Sequence, residues 1–373
     1  MKKVAIFLIN LKGGGAERVV SYLLNEGFKG FEFHLILLKK EIDYQLPQKE
    51  NIKIVDLGNY FGSKYLNVLA IPFLTQRLKK YLVENKIPTI LSLLNRPNII
   101  SCILKKNGWG GKVIISERID PVAYYNSVPF GFFMIGLIKR YYSYADVVTV
   151  ISKGIAHSLK KLGISDCKVI YNPIYISQQS SKKRPANKPF TFINIARLYQ
   201  QKNHALLLNA FAELKNEDCK LIVVGKGKLL DSLKKLSIKL RIEGKVNFAG
   251  YQSNVESYLE NADCFVFSSD FEGLGNAIIE ALNAGLPVIS TDCPYGPREI
   301  LAPDTDESLL IKDHIEFARY GILTPIKKIH HLADAMREIM NNEALRKKYR
   351  DLAPVRTADF DIKKIKKEYF DLF

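Results

Sequence analysis

The sequence predicts an α/β protein of two Rossmann-like, doubly wound domains facing each other across a cleft, and three observations carry that expectation. A chain of 373 residues exceeds a single ordinary hydrophobic core. Short apolar runs alternate with stretches of helical spacing along its length, the pattern of a mostly parallel sheet. A polar segment, SQQSSKKRPANKP at 177–189, divides that alternation into two similar halves. The expected limits are 1–173 for the first domain, 174–189 for the linker, 190–358 for the second domain and 359–373 for an amphipathic C-terminal helix that packs back on the first.

The first domain begins with an apolar run, Val4 to Asn10, that leads through Leu11 and Lys12 into Gly13, Gly14 and Gly15. Helical spacing follows from Ala16 to Leu24. This is a strand and a glycine-rich turn into a helix, but not the dinucleotide fingerprint, because Arg18 stands where the third glycine of GxGxxG belongs. The glycines allow a ligand to approach backbone at a helix start, and a plain tight turn is an equal reading. Further strands read at His34–Leu38, Ile52–Asp56, Thr89–Leu94, Lys112–Ser116, Val147–Ile151 and Val169–Tyr171. Helix-patterned stretches between them include Ile71–Lys86, Asn98–Lys106 and Lys153–Leu162. Open sheets of this kind bind ligands just beyond strand ends. That rule marks Gly13 to Gly15, Asn95 and Arg96, and Glu117 with Arg118.

The second half repeats the architecture: strand Phe190–Ala196, a helix from about His204 to Lys215, strand Lys220–Val224, a turn at Gly225, a helix to about Arg241, strand Val246–Phe248, then Gly250 and Tyr251. A short helix, Val255–Leu259, precedes ADCFVFSSDFEGLGNAIIEALNAGLPVISTDCPYGPREIL. There the run from Cys264 to Ser268 reads as a buried strand, FEGLGN as a loop, Gly275 to Ala284 as a helix stopped by Gly285 and Pro287, and Val288 to Thr291 as a second strand. Two carboxylates break the apolar pattern. Glu272 falls in the loop at a strand end, and Glu280 interrupts a helix whose neighbours require burial. Either could be an ordinary solvated charge. Ligand contact is the other reading, favoured by Gly273 and Gly275, which admit close backbone approach to a helix start. Arg197 and Lys202 follow the first strand of this half. A planar fork and a point charge together suit a diphosphate. Lys226 reads more simply as a surface charge.

Composition narrows the classes. With 47% apolar and 25% charged residues the chain is globular. Its five cysteines are scattered, without a CxxC or a Cys/His cluster, which speaks against disulfides and zinc and fits a reducing cytoplasm. The lysine-led apolar start imitates a signal peptide but is too short and lacks a cleavage site. No run reaches the roughly 20 apolar residues that span a bilayer. The net charge of +17 is lopsided: 25 Lys and Arg against 12 Asp and Glu up to Pro173, then 30 against 26. The first half is therefore expected to meet something anionic. Two of its stretches, Leu66–Lys86 and Phe130–Tyr144, combine basic and apolar residues and could rest on an anionic membrane face or be core-packed helices with a solvated basic side. A nucleic-acid-binding protein would share the charge. It would also need interleaved basic and aromatic strand residues or a recognition helix, and it leaves Glu272 and Glu280 without a role. Asp304-Thr305-Asp306 and Asp359-Phe360-Asp361 imitate metal-binding pairs but follow no apolar strand, and neither a P-loop nor GxSxG occurs.

EGLGNAIIE, with seven residues between Glu272 and Glu280, resembles the E-x7-E motif of the GT4 family of retaining glycosyltransferases. GGGAER after the first strand, Asn172-Pro173, Arg197 with Lys202, the Gly225 turn and DCPYGPREIL extend the resemblance in order over essentially the whole chain. It is nearest to bacterial enzymes that extend lipid-linked oligosaccharides in O-antigen, capsule or N-glycan assembly. The resemblance implies a GT-B fold and a metal-independent transfer without a cofactor, from a nucleotide sugar, most simply a UDP sugar. It implies that Glu280 meets the ribose hydroxyls and Glu272 the transferred sugar, and that Arg197 and Lys202 stabilise the departing diphosphate. Leu274, Gly275 and Asn276 would add backbone N–H groups after Gly273, Gly14 and Gly15 would close from the other domain, and Gly250 and Tyr251 would hold the base. Where many relatives carry a donor-contacting His, Ser116-Glu117-Arg118 stands here. Glu117 or Arg118 is expected in its place, with Asn95, Arg96 and Glu17 as further sugar or acceptor candidates.

The resulting expectation is a cytoplasmic glycosyltransferase held peripherally on the anionic inner membrane face, acting on a polyprenyl-diphosphate-linked saccharide and not on nucleic acid. No carboxylate is placed as a covalent nucleophile, so same-face attack accounts for retention. A soluble acceptor is the alternative.

Overall fold

The computed structural model describes residues 1–47, 50–58, 69–126, 128–176 and 188–373. Most of the expected linker, 177–187, and the start of the first basic stretch, 66–68, lie outside the described residues. The chain forms two units, Met1–Pro173 with Ile362–Phe373, and Ile174–Asp361.

The first unit is built on seven strands: β1 (Lys2–Leu8), β2 (Phe31–Leu37), β3 (Ile52–Asp56), β4 (Thr89–Leu93), β5 (Lys112–Glu117), β6 (Val147–Val150) and β7 (Cys167–Val169). All pair in parallel, in the order β3-β2-β1-β4-β5-β6-β7. Every residue of β4 is buried, as near-continuous apolar strands require when helices cover both faces. The order reverses between β1 and β4, which opens a crevice beyond their carboxyl ends.

The second unit carries β8 (Phe190–Ile195), β9 (Cys219–Val224), β10 (Val246–Gly250), β11 (Cys264–Phe267), β12 (Val288–Thr291), β13 (Glu316–Phe317) and β14 (Ile322–Thr324). Their order is β10-β9-β8-β11-β12-β14-β13, parallel except for the β13–β14 pair. The reversal here falls between β8 and β11. The two-domain, doubly wound expectation is therefore met. The antiparallel edge and the helices Ile329–Asn341 and Glu343–Thr357 were not legible in the sequence pattern.

Local chemistry sets several helix starts. Ser152 Oγ accepts from the Ile155 N–H at 3.3 Å to open the helix Lys153–Lys160, and Asn203 Oδ1 accepts from the Leu206 N–H at 3.1 Å to open His204–Ala212. The C-terminal helix, Ile362–Phe370, belongs to the first unit, as expected: Ile362, Ile365, Tyr369 and Leu372 join the core of Val4, Val20 and Phe33. Phe28 meets Phe370 and Phe373 at ring distances of 6.3 and 5.9 Å, and Lys112 Nζ donates to the Leu372 carbonyl at 2.7 Å. The segment entering the second unit lies beside the one leaving it, through a bond from Ile174 N–H to the Phe360 carbonyl of 2.8 Å.

Each basic-apolar stretch contributes a helix among its described residues. Ile71–Glu84 buries Leu74, Leu78 and Leu82 and leaves Phe73 and Val83 exposed. Gly131–Tyr141 buries little beyond Ile138 and exposes Phe132 and Phe133, with Lys139 and Arg140 in its last turn. Among the described residues no helix is long and apolar enough to cross a membrane.

Candidate active site

At the β8/β11 reversal two strand-end loops are laced together. Gln201 Nε2 donates to the Phe271 carbonyl at 2.6 Å, the Asp270 N–H to the Gln201 carbonyl at 2.9 Å, Asn203 Nδ2 to Asp270 Oδ1 at 2.8 Å, and Ser268 Oγ to the Lys202 carbonyl at 2.9 Å. This lacing brings Lys202 Nζ onto Glu272 Oε1 in an ion pair, with side chains only 15% and 9% exposed. The ammonium also lies over the Phe267 ring, 5.3 Å from its centre. His204, next along, is buried with neither ring nitrogen hydrogen-bonded among the described residues. Burial, helped by the Lys202 charge, pushes its pKa down to about 4, so it adds no second cation beside the pair.

Arg197, from the same loop, is exposed and lies over the Tyr199 ring at 5.6 Å. The Gly225 turn fits against it. A side chain at Gly225 (φ +148°) would place its Cβ 1.9 Å from the Ala196 carbonyl oxygen, and one at Gly227 would reach 2.4 Å from that of Leu198. The Gly225 N–H donates to the Gly250 carbonyl at 2.8 Å, so the turns after β9 and β10 are neighbours. Lys226 sits over the exposed Tyr251 ring at 4.6 Å. Lys226 is exposed, the surface charge that the sequence suggests, and its ring partner is too distant in the chain to give a local signal there.

Glu272 is held by backbone as well. Its N–H donates to the Pro294 carbonyl at 2.8 Å and its carbonyl accepts from the Tyr295 N–H at 3.1 Å. Gly296 (φ +102°) packs so tightly under this loop that a Cβ would lie 2.1 Å from the Leu274 oxygen. Gly275, at φ +95°, turns the chain into the helix Asn276–Asn283, one residue later than the sequence suggested. Glu280 is half-buried on that helix, whereas Gly273 and Asn276 are partly open at its start. Behind them, Asp292 and Arg298 form a buried ion pair of 2.7 Å, extended to Glu316 at 2.8 Å. A pair so enclosed fixes the loop after β12.

The first-unit candidates gather in two places. Beyond β1, the Glu17 carboxyl folds back so far that a Cβ on Gly14 would lie 2.1 Å from its Oε2, and Tyr44 OH donates to the Gly14 carbonyl at 3.0 Å. Beyond β4 and β5, Glu117 is wholly buried. Its Oε2 accepts from Asn95 Nδ2 at 2.7 Å and Tyr142 OH at 2.8 Å, and its Oε1 from the Arg118 N–H at 3.0 Å. Burial pushes its pKa up to about 7 against these hydrogen bonds. Arg96, beside Asn95, is partly buried, and burial lowers its pKa. Arg118 differs from its expected place at an open strand end. It is 7% exposed, and its guanidinium donates to Asn172 Oδ1, to Ser116 Oγ at 3.3 Å and to Tyr369 OH at 3.1 Å. It clamps the C-terminal helix to β5 instead of facing a sugar.

Among the described residues no group of three or more His, Cys, Asp or Glu could hold a metal ion. Asp304 pairs with Arg319 at 2.9 Å, and Asp359 with Arg356 at 2.6 Å.

Known proteins resemble this chain in sequence and in fold. The family profile described as glycosyl transferases group 1 matches residues 176–355. An N-acetylgalactosamine-N,N'-diacetylbacillosaminyl-diphospho-undecaprenol 4-alpha-N-acetylgalactosaminyltransferase of Campylobacter jejuni is 32% identical over 99% of this chain and 98% of its own. A second enzyme of that organism, a GalNAc-alpha-(1->4)-GalNAc-alpha-(1->3)-diNAcBac-PP-undecaprenol alpha-1,4-N-acetyl-D-galactosaminyltransferase, is 28% identical over 100% and 98%. Among solved structures, the lipopolysaccharide outer core galactosyltransferase WaaB superposes with a TM-score of 0.75 at 21% identity, covering 100% of this chain and 99% of that one. Anabaena HepE with bound UDP-glucose gives 0.78 at 18%, with the same coverage. Both likenesses establish the fold.

Proposed function

Because this chain belongs to the group 1 glycosyl transferases, a family of GT-B glycosyltransferases, we propose that it moves a sugar from a UDP sugar to a polyprenyl-diphosphate-linked saccharide in bacterial glycan assembly. The observation that carries the donor half is the Lys202–Glu272 pair at the β8/β11 reversal, with Arg197 on the same loop. Full-length likeness to transferases named for undecaprenol-linked substrates supports the acceptor half.

In this reading the diphosphate draws Lys202 and Arg197, and Glu272 is released to the hydroxyls of the transferred sugar. Charge that builds on the leaving diphosphate then meets fixed donors, including the N–H groups of Leu274, Gly275 and Asn276. Glu280 takes the ribose hydroxyls. Gly250 and Tyr251, with Lys226 over the ring, hold the base. Gly14 and Gly15 supply further N–H groups, and Glu17, Asn95 and Arg96 serve the sugar and acceptor side. Transfer retains configuration by attack from the leaving-group face, the departing phosphate taking the acceptor proton. Two cationic side chains do the work of a metal, so no metal is required.

The basic first unit, with Phe132, Phe133, Lys139 and Arg140 on one helix, rests on the anionic cytoplasmic face of the membrane, where the acceptor resides. The test is transfer from a panel of UDP sugars to a polyprenyl-diphosphate-linked saccharide, with and without chelator. Transfer that survives chelation and is abolished by Glu280→Gln or Arg197→Ala in folded protein supports the reading. Normal turnover in both variants ends it.

A further inference from the structure

Glu117 is a carboxylate with no exposed surface at the end of β5, beside the point where the sheet order reverses. A buried carboxylate is costly unless its oxygens are hydrogen-bonded. Among the groups bonded to it, Asn95 is the side chain that begins the helix after β4. A carboxylate can only accept hydrogen bonds, so it fixes the Asn95 amide with its NH2 inward and its carbonyl oxygen turned away from Glu117. Asn95 keeps 8% of its surface, whereas Glu117 keeps none. The backbone is shaped to present this residue: Leu94, immediately before it, is forced to φ +76°, a conformation that side chains other than glycine rarely adopt. The network is braced from behind, Asn98 Nδ2 donating to Tyr142 OH at 3.3 Å and to the Ser116 carbonyl at 3.0 Å.

We propose that Glu117 is a positioning residue that never meets substrate, and that it orients the Asn95 amide so that the amide oxygen receives a hydroxyl of the acceptor saccharide. The inference rests on the transferase reading above. It predicts a dependence on the charge of Glu117, because a neutral carboxyl or a glutamine can offer a donor and lets the Asn95 amide reverse. The groups facing Glu117 are Asn95, the Arg118 and Ile119 N–H groups, Tyr142, Tyr125 and Asp120. Burial pushes both tyrosines up, so they stay protonated around neutrality. Asp120 is tied to Ser158 Oγ at 2.6 Å and the Val122 N–H at 2.9 Å, and the Arg118 guanidinium is turned away to Asn172 and Tyr369.

The experiment measures donor and acceptor KM and kcat for full-length wild type, Glu117→Gln, Asn95→Ala and the double variant, from pH 5.5 to 8.5. Wild type should lose acceptor affinity as pH falls through about 7. Glu117→Gln and Asn95→Ala should each raise acceptor KM about tenfold or more, leave donor KM near its starting value and remove the acid limb. The double variant should be no worse than Asn95→Ala alone. Unchanged acceptor KM and pH profile in Glu117→Gln, or effects that multiply in the double variant, overturn the proposal. Should Glu117→Gln not fold, an acid limb that persists in Asn95→Ala overturns it equally. Absence of wild-type transfer to any lipid-linked saccharide overturns the functional reading, and this inference with it; normal wild-type transfer with indifferent variants overturns the inference alone.

Discussion

Lys202 and Glu272, seventy positions apart in the chain, form an ion pair that bridges the loops after β8 and β11. Each partner is the other's main compensation for burial, and a diphosphate is the ligand best suited to take the ammonium from the carboxylate. Lys202→Ala should therefore lower kcat by about 10²–10³-fold, the usual cost of losing one donor to developing charge. Glu272→Gln should act mainly on kcat as well, since in the proposed function the sugar contact forms only once the lysine has moved. Steady-state kinetics with the best UDP sugar check both. A change confined to KM would show that the pair does not act in the transition state.

The glycine turns carry a packing prediction. At Gly225 and Gly296 an added methyl group would meet backbone oxygens at 1.9 and 2.1 Å, and neither oxygen belongs to a flexible side chain. Gly225→Ala and Gly296→Ala should each destabilise the second unit by about 1–3 kcal/mol through overpacking and forced positive φ. Gly244→Ala, where nothing lies within 4 Å, is the control and should leave the melting temperature nearly unchanged.

Glu117 sets a slope of stability with pH. Its folded pKa is raised to about 7 from an ordinary 4.5, chiefly by burial. Between those values the folded state binds more protons than the unfolded one, so this group favours folding at acid pH and loses that contribution as pH rises through 7. The full swing is about 3 kcal/mol. Melting curves at pH 5 and 8 should show the wild type losing more stability over that interval than Glu117→Gln. Parallel curves would exclude a buried, titrating Glu117.

Membrane contact predicts a salt-sensitive affinity. Wild type should co-sediment with vesicles containing anionic phosphatidylglycerol and be released as salt rises past the range where a Debye length of about 8 Å applies. Phe132→Ser with Phe133→Ser removes two side chains exposed by 65% and 61%, and should weaken binding several-fold without loss of fold. Equal retention of wild type and variant would assign the aromatic face another purpose.

Much of the fold was legible because each central strand is a short, mainly apolar run followed by a helical stretch, and parallel sheets impose that on sequence. β13 and β14 escaped, since two and three residues are too few to show a period. Helix Glu343–Thr357 contains Pro354, which reads as a break. At the site, the position of Glu272, Lys202 and Glu117 at or beyond strand ends followed from topology alone. Their partners did not. Pairing of Lys202 with Glu272, and of Glu117 with Asn95 and Tyr142, depends on which loops the sheet order makes adjacent. Arg118 illustrates the converse: a charge at a strand end, read as facing ligand, is instead committed to a helix that arrives from the far end of the chain.

That returning helix has a consequence for biosynthesis. Residues 1–173 emerge from the ribosome early, yet Ile365 and Tyr369 complete their interior and Tyr369 completes the Arg118 clamp. The first half must therefore wait, with an apolar gap facing solvent, while the whole second unit is translated. Chaperone dependence should concentrate in that interval, and nascent chains halted before Ile362 should be the ones most readily digested by protease.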